Sequence, residues 1–240
     1  MHIYVINLDR SADRLEAFRR TNSHIEIHRF PAVDGASVDR AALVEDAIID
    51  RNLRYTNGAL GCAMSHLFFW EAAINQHETI TVVEDDAVLH RNFLEYAEAV
   101  TSSLESSWDL VVWGWNFDSI LMLDLLPGIS PCVATFDQAG LRQHVDAFQT
   151  LSFRPAAFRL LRCFGTVGYS VTPAGAQKLR QLSLPLTPFE ISIPMISPRF
   201  PNNGIDVVMN RAYPQLQAFV SVPPLIVTKN EHETSTVVGS

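Results

Sequence analysis

The segment ITVVEDDAVL (residues 80–89) sets three carboxylates, Glu84, Asp85 and Asp86, at the end of an apolar, β-branched run. Clustered acids repel: two carboxylates about 4 Å apart cost roughly 4 kcal/mol at an effective dielectric of about 20. A proton, an arginine, water or a metal ion must compensate. If the run is a strand, its side chains alternate, so Glu84 and Asp86 project together and Asp85 points away. Two hard oxygen ligands beyond the carboxyl end of a strand suit Mg²⁺ or Mn²⁺ shared with a substrate phosphate. The competing reading is a solvated strand end or an acidic helix start. Three consecutive acids favour the metal.

Asn7, Asp9, Arg10 and Arg14 follow another apolar run, IYVINL (3–8), where they could read a nucleotide. NGALGCAMSH (57–66) opens a helix with Gly58 and Gly61, and Gly61, Ser65 and Phe68 share one of its faces. That face suits close approach of another backbone as well as of a ligand, and the helix start could meet a phosphate. Neither GxGxxG nor GxxxxGK[ST] is present, which removes the common dinucleotide and P-loop signatures. His66 and His232 are candidate ligands or acid–base groups, although a lone helical histidine is more often structural. Asp206, isolated in NNGIDVVMN, reads by itself as a helix cap.

The elements that must position these groups alternate. IYVINL reads as a strand, and Ser11 can cap a helix carrying Leu15 and Phe18 inward. IEIHRFPAVDG (25–35) reads as a strand closed by a turn at Asp34-Gly35. Residues 36–57 show no clear period. A strongly amphipathic helix then carries Ala63, Leu67, Trp70 and Ile74. After ITVVED come a helix marked by Phe93, Ala97, Val100 and Leu104 and a strand, WDLVVWGW (108–115). This alternation predicts an α/β fold with a mostly parallel central sheet flanked by helices. Further on, TVGYSV (166–171) predicts a strand and Thr172-Pro173 a helix start. The proline-rich stretch 183–204 reads as packed loop, and QAFVSV (217–222) as a late strand with a polar tail after Val227.

The 240 residues suit one domain, with 1–115 and 116–240 as its halves. An apolar content of 48% and a charged content of 18% are those of a globular chain. A net charge of −8 without a basic stripe argues against nucleic acid as partner. Three cysteines without close spacing argue against a disulfide framework and for a reducing compartment. With no signal-peptide pattern and no run of about 18 apolar residues, a cytoplasmic location is expected, with peripheral contact at the inner face of a membrane left open.

Taken together, INLDRSADR, AVDG, GALGCAMSH and VVEDDAVL, in this order over residues 3–89, resemble glycosyltransferase family 25, the group of lipooligosaccharide and collagen galactosyltransferases. GYSVTPAGAQKL (168–179), GIDVVM (204–209) and PPLIV (223–227) are similar to later segments of that family, whereas 116–160 matches none. The resemblance implies a GT-A type nucleotide-sugar fold, with 1–115 binding the donor and 116–240 the acceptor. It implies inverting transfer of a hexose, galactose or glucose, from a UDP-sugar to a hydroxyl of a glycan or lipid-linked glycan, in lipopolysaccharide or surface polysaccharide assembly. Asn7, Leu8, Asp9, Arg10, Arg14, Asp34, Gly35, Gly61, Ser65, Glu84 and Asp85 would then face the donor. EDD stands where such enzymes carry a DxD-type motif, so Asp86 and Glu84 would hold Mn²⁺ or Mg²⁺, with His232 a further candidate ligand. Asp206 would be the general base, with Glu190 the alternative. Two rival classes remain: a metal-dependent phosphohydrolase using the same acids, and a non-catalytic protein that binds nucleotide sugars or glycans.

Overall fold

The computed structural model describes residues 1–104, 107–194 and 196–230. The first half alternates as expected: β1 (His2–Asn7), α1 (Ala12–Thr21), β2 (His28–Pro31), α2 (Arg40–Glu45), α3 (Asn57–Gln76), β3 (Ile80–Glu84), β4 (Ala87–Leu89), α4 (Phe93–Ser102) and β5 (Leu110–Gly114). α2 occupies the segment without a clear period, where Asp39 accepts hydrogen bonds from the amides of Ala41 and Ala42. Ser11 precedes α1, but its side chain makes no capping hydrogen bond. Its carbonyl instead accepts from Asn7 Nδ2 at 3.1 Å.

The second half adds β6 (Ile120–Leu126), β7 (Ser130–Thr135), α5 (Gln138–Phe148), β8 (Ala156–Cys163), β9 (Gly168–Val171) and α6 (Pro173–Ser183). It continues with β10 (Glu190–Ile193), β11 (Ile196–Pro201), α7 (Ile205–Ala212), β12 (Ala218–Val222) and β13 (Ile226–Thr228). The expected loop over 183–204 is corrected to a hairpin of β10 and β11. Ile191 and Ile193 alternate inward with Glu190 and Ser192 outward. The surrounding prolines obscure that period-2 signal, yet an isolated two-stranded ladder tolerates them.

Nine strands form one sheet in the order β2-β1-β3-β9-β5-β12-β8-β6-β7. β1–β2, β1–β3 and β5–β12 pair in parallel. The remaining five neighbours pair antiparallel. The expected mostly parallel sheet is therefore corrected to a mixed, mostly antiparallel one. The alternation within 1–115 makes β3 and β5 look like neighbours, but β9 arrives from the second half and inserts between them. Buried hydroxyls need partners, and here they secure the insertion. Thr81 on β3 meets Ser170 on β9 at 2.6 Å, and Trp113 Nε1 on β5 donates to the same Ser170 at 2.7 Å.

Helices cover both faces of the sheet. Trp70, Leu179 and Met209 of α3, α6 and α7 pack with Val82 and Tyr169 on one side. Phe18, Phe93 and Val100 of α1 and α4 pack with Val83 and Trp113 on the other. Because both faces are covered, β3 and β5 read as continuous apolar runs. α3 is not amphipathic as predicted. Eleven of its residues are buried and Phe68 is left exposed, as expected of a helix enclosed by the fold. Thr56 starts it, accepting from the Ala59 amide at 3.0 Å. Among the described residues no helix is long and apolar enough to cross a membrane.

Candidate functional site

The carboxyl ends of β1, β3 and β5, the entry to β9 and the start of α7 converge on a cleft of about 570 Å³. That is the size of a small-ligand site, and it lies where open α/β sheets place their ligands.

The acid triplet forms one wall. β3 ends at Glu84, so Asp85 and Asp86 occupy a turn and all three line the cleft. The expectation that Asp85 points away is corrected, because strand alternation does not extend past the last ladder residue. Asp85 is compensated directly. Asn7 Nδ2 donates to it at 2.7 Å, and Arg14 pairs with its other oxygen. Asn7 is itself buried, and its Oδ1 accepts from Arg29 Nε at 3.3 Å. Glu84 accepts a hydrogen bond from Thr166 Oγ1. Desolvation, followed by repulsion from Asp86, pushes the Glu84 carboxyl up against that hydrogen bond. Asp86 is exposed where it lines the cleft. Desolvation by the cleft walls raises its carboxyl while Arg14 pulls it down.

A second wall comes from the loop after β2 lying on the start of α3. A Cβ on Gly35 would sit 1.7 Å from the Asn57 carbonyl oxygen, and one on Gly61 2.5 Å from that of Val33. Both glycines therefore serve backbone approach. Gly35 lines the cleft, whereas Gly61 lies beneath it. Ser65 Oγ accepts from the Val33 amide at 2.8 Å and donates to the Gly61 carbonyl at 2.7 Å, tying loop to helix. Asp34 pairs with Arg10 and accepts from the Ala36 amide at 3.1 Å. Arg10, Leu8 and the first residues of α3 all reach the cleft. Asp9 does not line it. It is exposed and paired with Arg29.

Asp206 stands in the first turn of α7 and lines the same cleft. Oδ2 accepts from the Gly165 amide at 3.0 Å and Oδ1 from the Val207 amide at 2.9 Å. Burial raises its carboxyl while those amides pull it down. Its field reaches Glu84 across the cleft and helps to push that acid up. Glu190 is elsewhere, exposed on β10 and 3.7 Å from Arg199. His232 lies outside the described residues.

Of three further cleft residues, His66 was a candidate in the sequence, whereas Asn116 and Thr166 escape the sequence reading. His66 is 1% exposed, its Nδ1 is 2.8 Å from the Tyr169 hydroxyl, and Trp70 Nε1 donates to that hydroxyl at 2.8 Å. Burial lowers its pKa to about 4, so it is a neutral imidazole at pH 7. Asn116 follows β5 and Thr166 precedes β9, both at strand ends facing the acids. Position after the WGW run was the available signal for Asn116. Nothing in the sequence placed Thr166 opposite Glu84.

The donor set fits a divalent cation in one way. Among the described residues no three His, Cys, Asp or Glu side chains are grouped to hold a metal ion alone. Glu84 and Asp86 repel each other without a cation between them. A Mg²⁺ or Mn²⁺ held by these two would complete its shell with ligand phosphate oxygens and water, as Mg²⁺ usually does.

Comparison with known proteins narrows the chemistry. The sequence pattern of "Glycosyltransferase family 25 (LPS biosynthesis protein)" matches residues 1–193. The chain belongs to glycosyltransferase family 25. The family 25 match covers the acid triplet, the Arg10–Arg14 segment and the glycine loop, and ends before Asp206. A "Glycosyltransferase 25 family member" of Aedes aegypti is 30% identical over 132 residues, 47% of this chain and 21% of that protein. Human "Procollagen galactosyltransferase 2" is 28% identical over 128 residues, 47% of this chain and 20% of its own. Human "Inactive glycosyltransferase 25 family member 3" is 29% identical over 146 residues, 53% of this chain and 24% of its own. The matches thus span about a fifth to a quarter of each relative's length. The solved structure of A197 from STIV aligns over 92% of this chain and 81% of that one, at TM-score 0.40 and 12% identity.

Proposed function

We propose that this family 25 chain is an inverting, UDP-hexose-dependent glycosyltransferase of GT-A type. It would move galactose or glucose to a hydroxyl of a glycan acceptor, in lipopolysaccharide or surface polysaccharide assembly. The observation that carries this reading is a single cleft combining two arginines, each paired with an aspartate, an acid pair and a separate carboxylate. Arg14 lies with Glu84 and Asp86 at the acid wall, Arg10 is paired with Asp34, and Asp206 is on α7.

The chemistry assigns each group a task. The acceptor oxygen attacks the anomeric carbon, the bond from that carbon to the diphosphate breaks, and UDP leaves with the electron pair. A cation held by Glu84 and Asp86 would neutralise the leaving diphosphate as a Lewis acid. Arg14, already fixed by Asp85, adds positive charge at the same wall. Asp206 takes the proton of the acceptor hydroxyl. Its burial raises basicity, and the Gly165 and Val207 amides fix its orientation. His66 offers a neutral ring that neither competes for that proton nor adds charge at pH 7.

A thermal-shift titration with UDP and UDP-hexoses, with and without Mn²⁺, tests the donor assignment. At about 100 times the dissociation constant a ligand adds about 2.7 kcal/mol, a readable shift. A transition unmoved by any uridine nucleotide removes the donor assignment. The name of one relative, an inactive family 25 member, keeps a binding-only role as the second reading. Tight UDP-hexose binding without UDP release over an acceptor panel would favour it.

A further inference from the structure

Beyond Asp206 lies a second recess of about 200 Å³. Ser119, Phe164, Phe200 and Asn203 line it together with Asp206, and Asp206 and Asn203 line the main cleft as well. The carboxylate therefore stands in the wall shared by the two cavities. Phe164 and Phe200 form an aromatic pair with centroids 5.1 Å apart and planes tilted by 36°. Phe164 is buried and Phe200 only half-buried, so Phe200 is the ring with area left to offer a ligand.

The two cavities differ in charge. The main cleft carries Arg10 and Arg14, whereas no described residue lining the recess is a lysine or arginine. A phosphate or carboxylate would find no cation there and would face Asp206. A ligand with a weakly positive C–H face and a neutral hydroxyl edge suits it better. The C–H face packs on the electron-rich face of an aromatic ring. The hydroxyls meet Ser119 and Asn203, each able to donate and accept. The segment leading into the recess is held in place beforehand. Tyr55 OH donates to Asn202 Oδ1 at 2.6 Å, and Asn202 Nδ2 donates to the Thr187 carbonyl at 2.7 Å.

We propose that the Phe164–Phe200 recess is the acceptor subsite, and that it takes an uncharged pyranose ring whose reacting hydroxyl meets Asp206. This rests on the reading of the main cleft as the UDP-hexose site. The acceptor hydroxyl then gives its proton to Asp206 at the shared wall, where its oxygen can reach the anomeric carbon on the other side. Acceptor choice falls to Phe200 and Ser119, which line the recess and not the main cleft, and donor affinity does not.

Saturation-transfer NMR on the full chain with UDP and Mg²⁺ tests the proposal, using methyl galactoside, methyl glucoside and methyl glucuronide as probes. The neutral glycosides should receive saturation at their ring C–H protons, and the glucuronide should bind about tenfold more weakly or not at all. Phe200→Ala and the more conservative Phe200→Leu should each weaken the neutral glycosides about tenfold, with UDP affinity changed less than about twofold. Two results would overturn the subsite while leaving the donor reading intact. One is UDP binding without glycoside binding, and the other is full glycoside affinity in Phe200→Leu. Failure of UDP to bind the wild-type chain would remove the donor reading, and this proposal with it.

Discussion

Two carboxylates in one cleft, Asp85 and Asp206, are held by opposite means. Asp85 sits in a turn between Arg14 and Asn7, so its charge is matched by a side-chain cation and an amide. Asp206 is held by two backbone amides, and burial leaves it more basic than a free aspartate. The ion-paired acid is fit to position charge, and the amide-held acid is fit to move a proton. The same residue type thus takes two roles, according to what surrounds it.

The largest test removes the basic member. Asp206→Asn keeps the shape but not the proton acceptor, and should slow UDP release by at least about 10²-fold while UDP-hexose binding stays close to wild type. Single-turnover rates beside a binding isotherm read the two separately. Normal turnover would end the base assignment, and lost affinity would move Asp206 to the donor side.

The paired member should fail differently. Asp85→Asn removes the charge that pairs with Arg14 at that oxygen and should cost about 1–2 kcal/mol of stability in urea unfolding. Asp86→Asn, open to the cleft, should hardly move the unfolding midpoint but should weaken the Mn²⁺-dependent part of UDP binding. If the two variants lose stability and binding alike, the division of labour within the triplet is wrong.

His66 provides a pH test of the wall behind both acids. Its folded pKa, about 4, lies below the ordinary 6.5, so the unfolded chain binds the proton more readily. Its contribution is therefore complete above pH 6.5 and lost as pH falls towards 4. Between pH 7 and 5 the loss should be about 2 kcal/mol. His66→Gln should flatten that part of the stability–pH curve, and an unchanged slope would contradict the burial argument. The smallest effect belongs to a control outside the cleft. Thr172→Ala removes the hydroxyl that accepts from the Gly175 amide at 3.0 Å at the start of α6. It should cost about 1 kcal/mol and leave turnover unchanged.

Much of the first half was legible because its signals are local. Apolar runs located β1, β3 and β5 there, and in the second half Thr172-Pro173 located α6. The acid triplet, the arginines after β1 and the glycine pair each announced themselves by type and spacing. The hairpin of β10 and β11 was hidden by prolines that a two-stranded ladder tolerates. β6, β7 and β8 lie in a stretch whose pattern loosens, because they pair antiparallel with one another and, through β8, with the distant β12, outside the strand–helix alternation.

By itself the sequence determined which residues could do chemistry and which segments could be strands, since side-chain pKa, charge and hydrophobic period are local properties. Only the tertiary structure decided that β9 inserts antiparallel between β3 and β5, which brings Gly165 and Thr166 to the acid triplet. Only it brought Asp206, about 120 positions later, to face Glu84. Strand order is set by which buried faces and hydroxyls find partners across the whole chain. Such pairing over long sequence separations leaves no periodic trace in either segment alone.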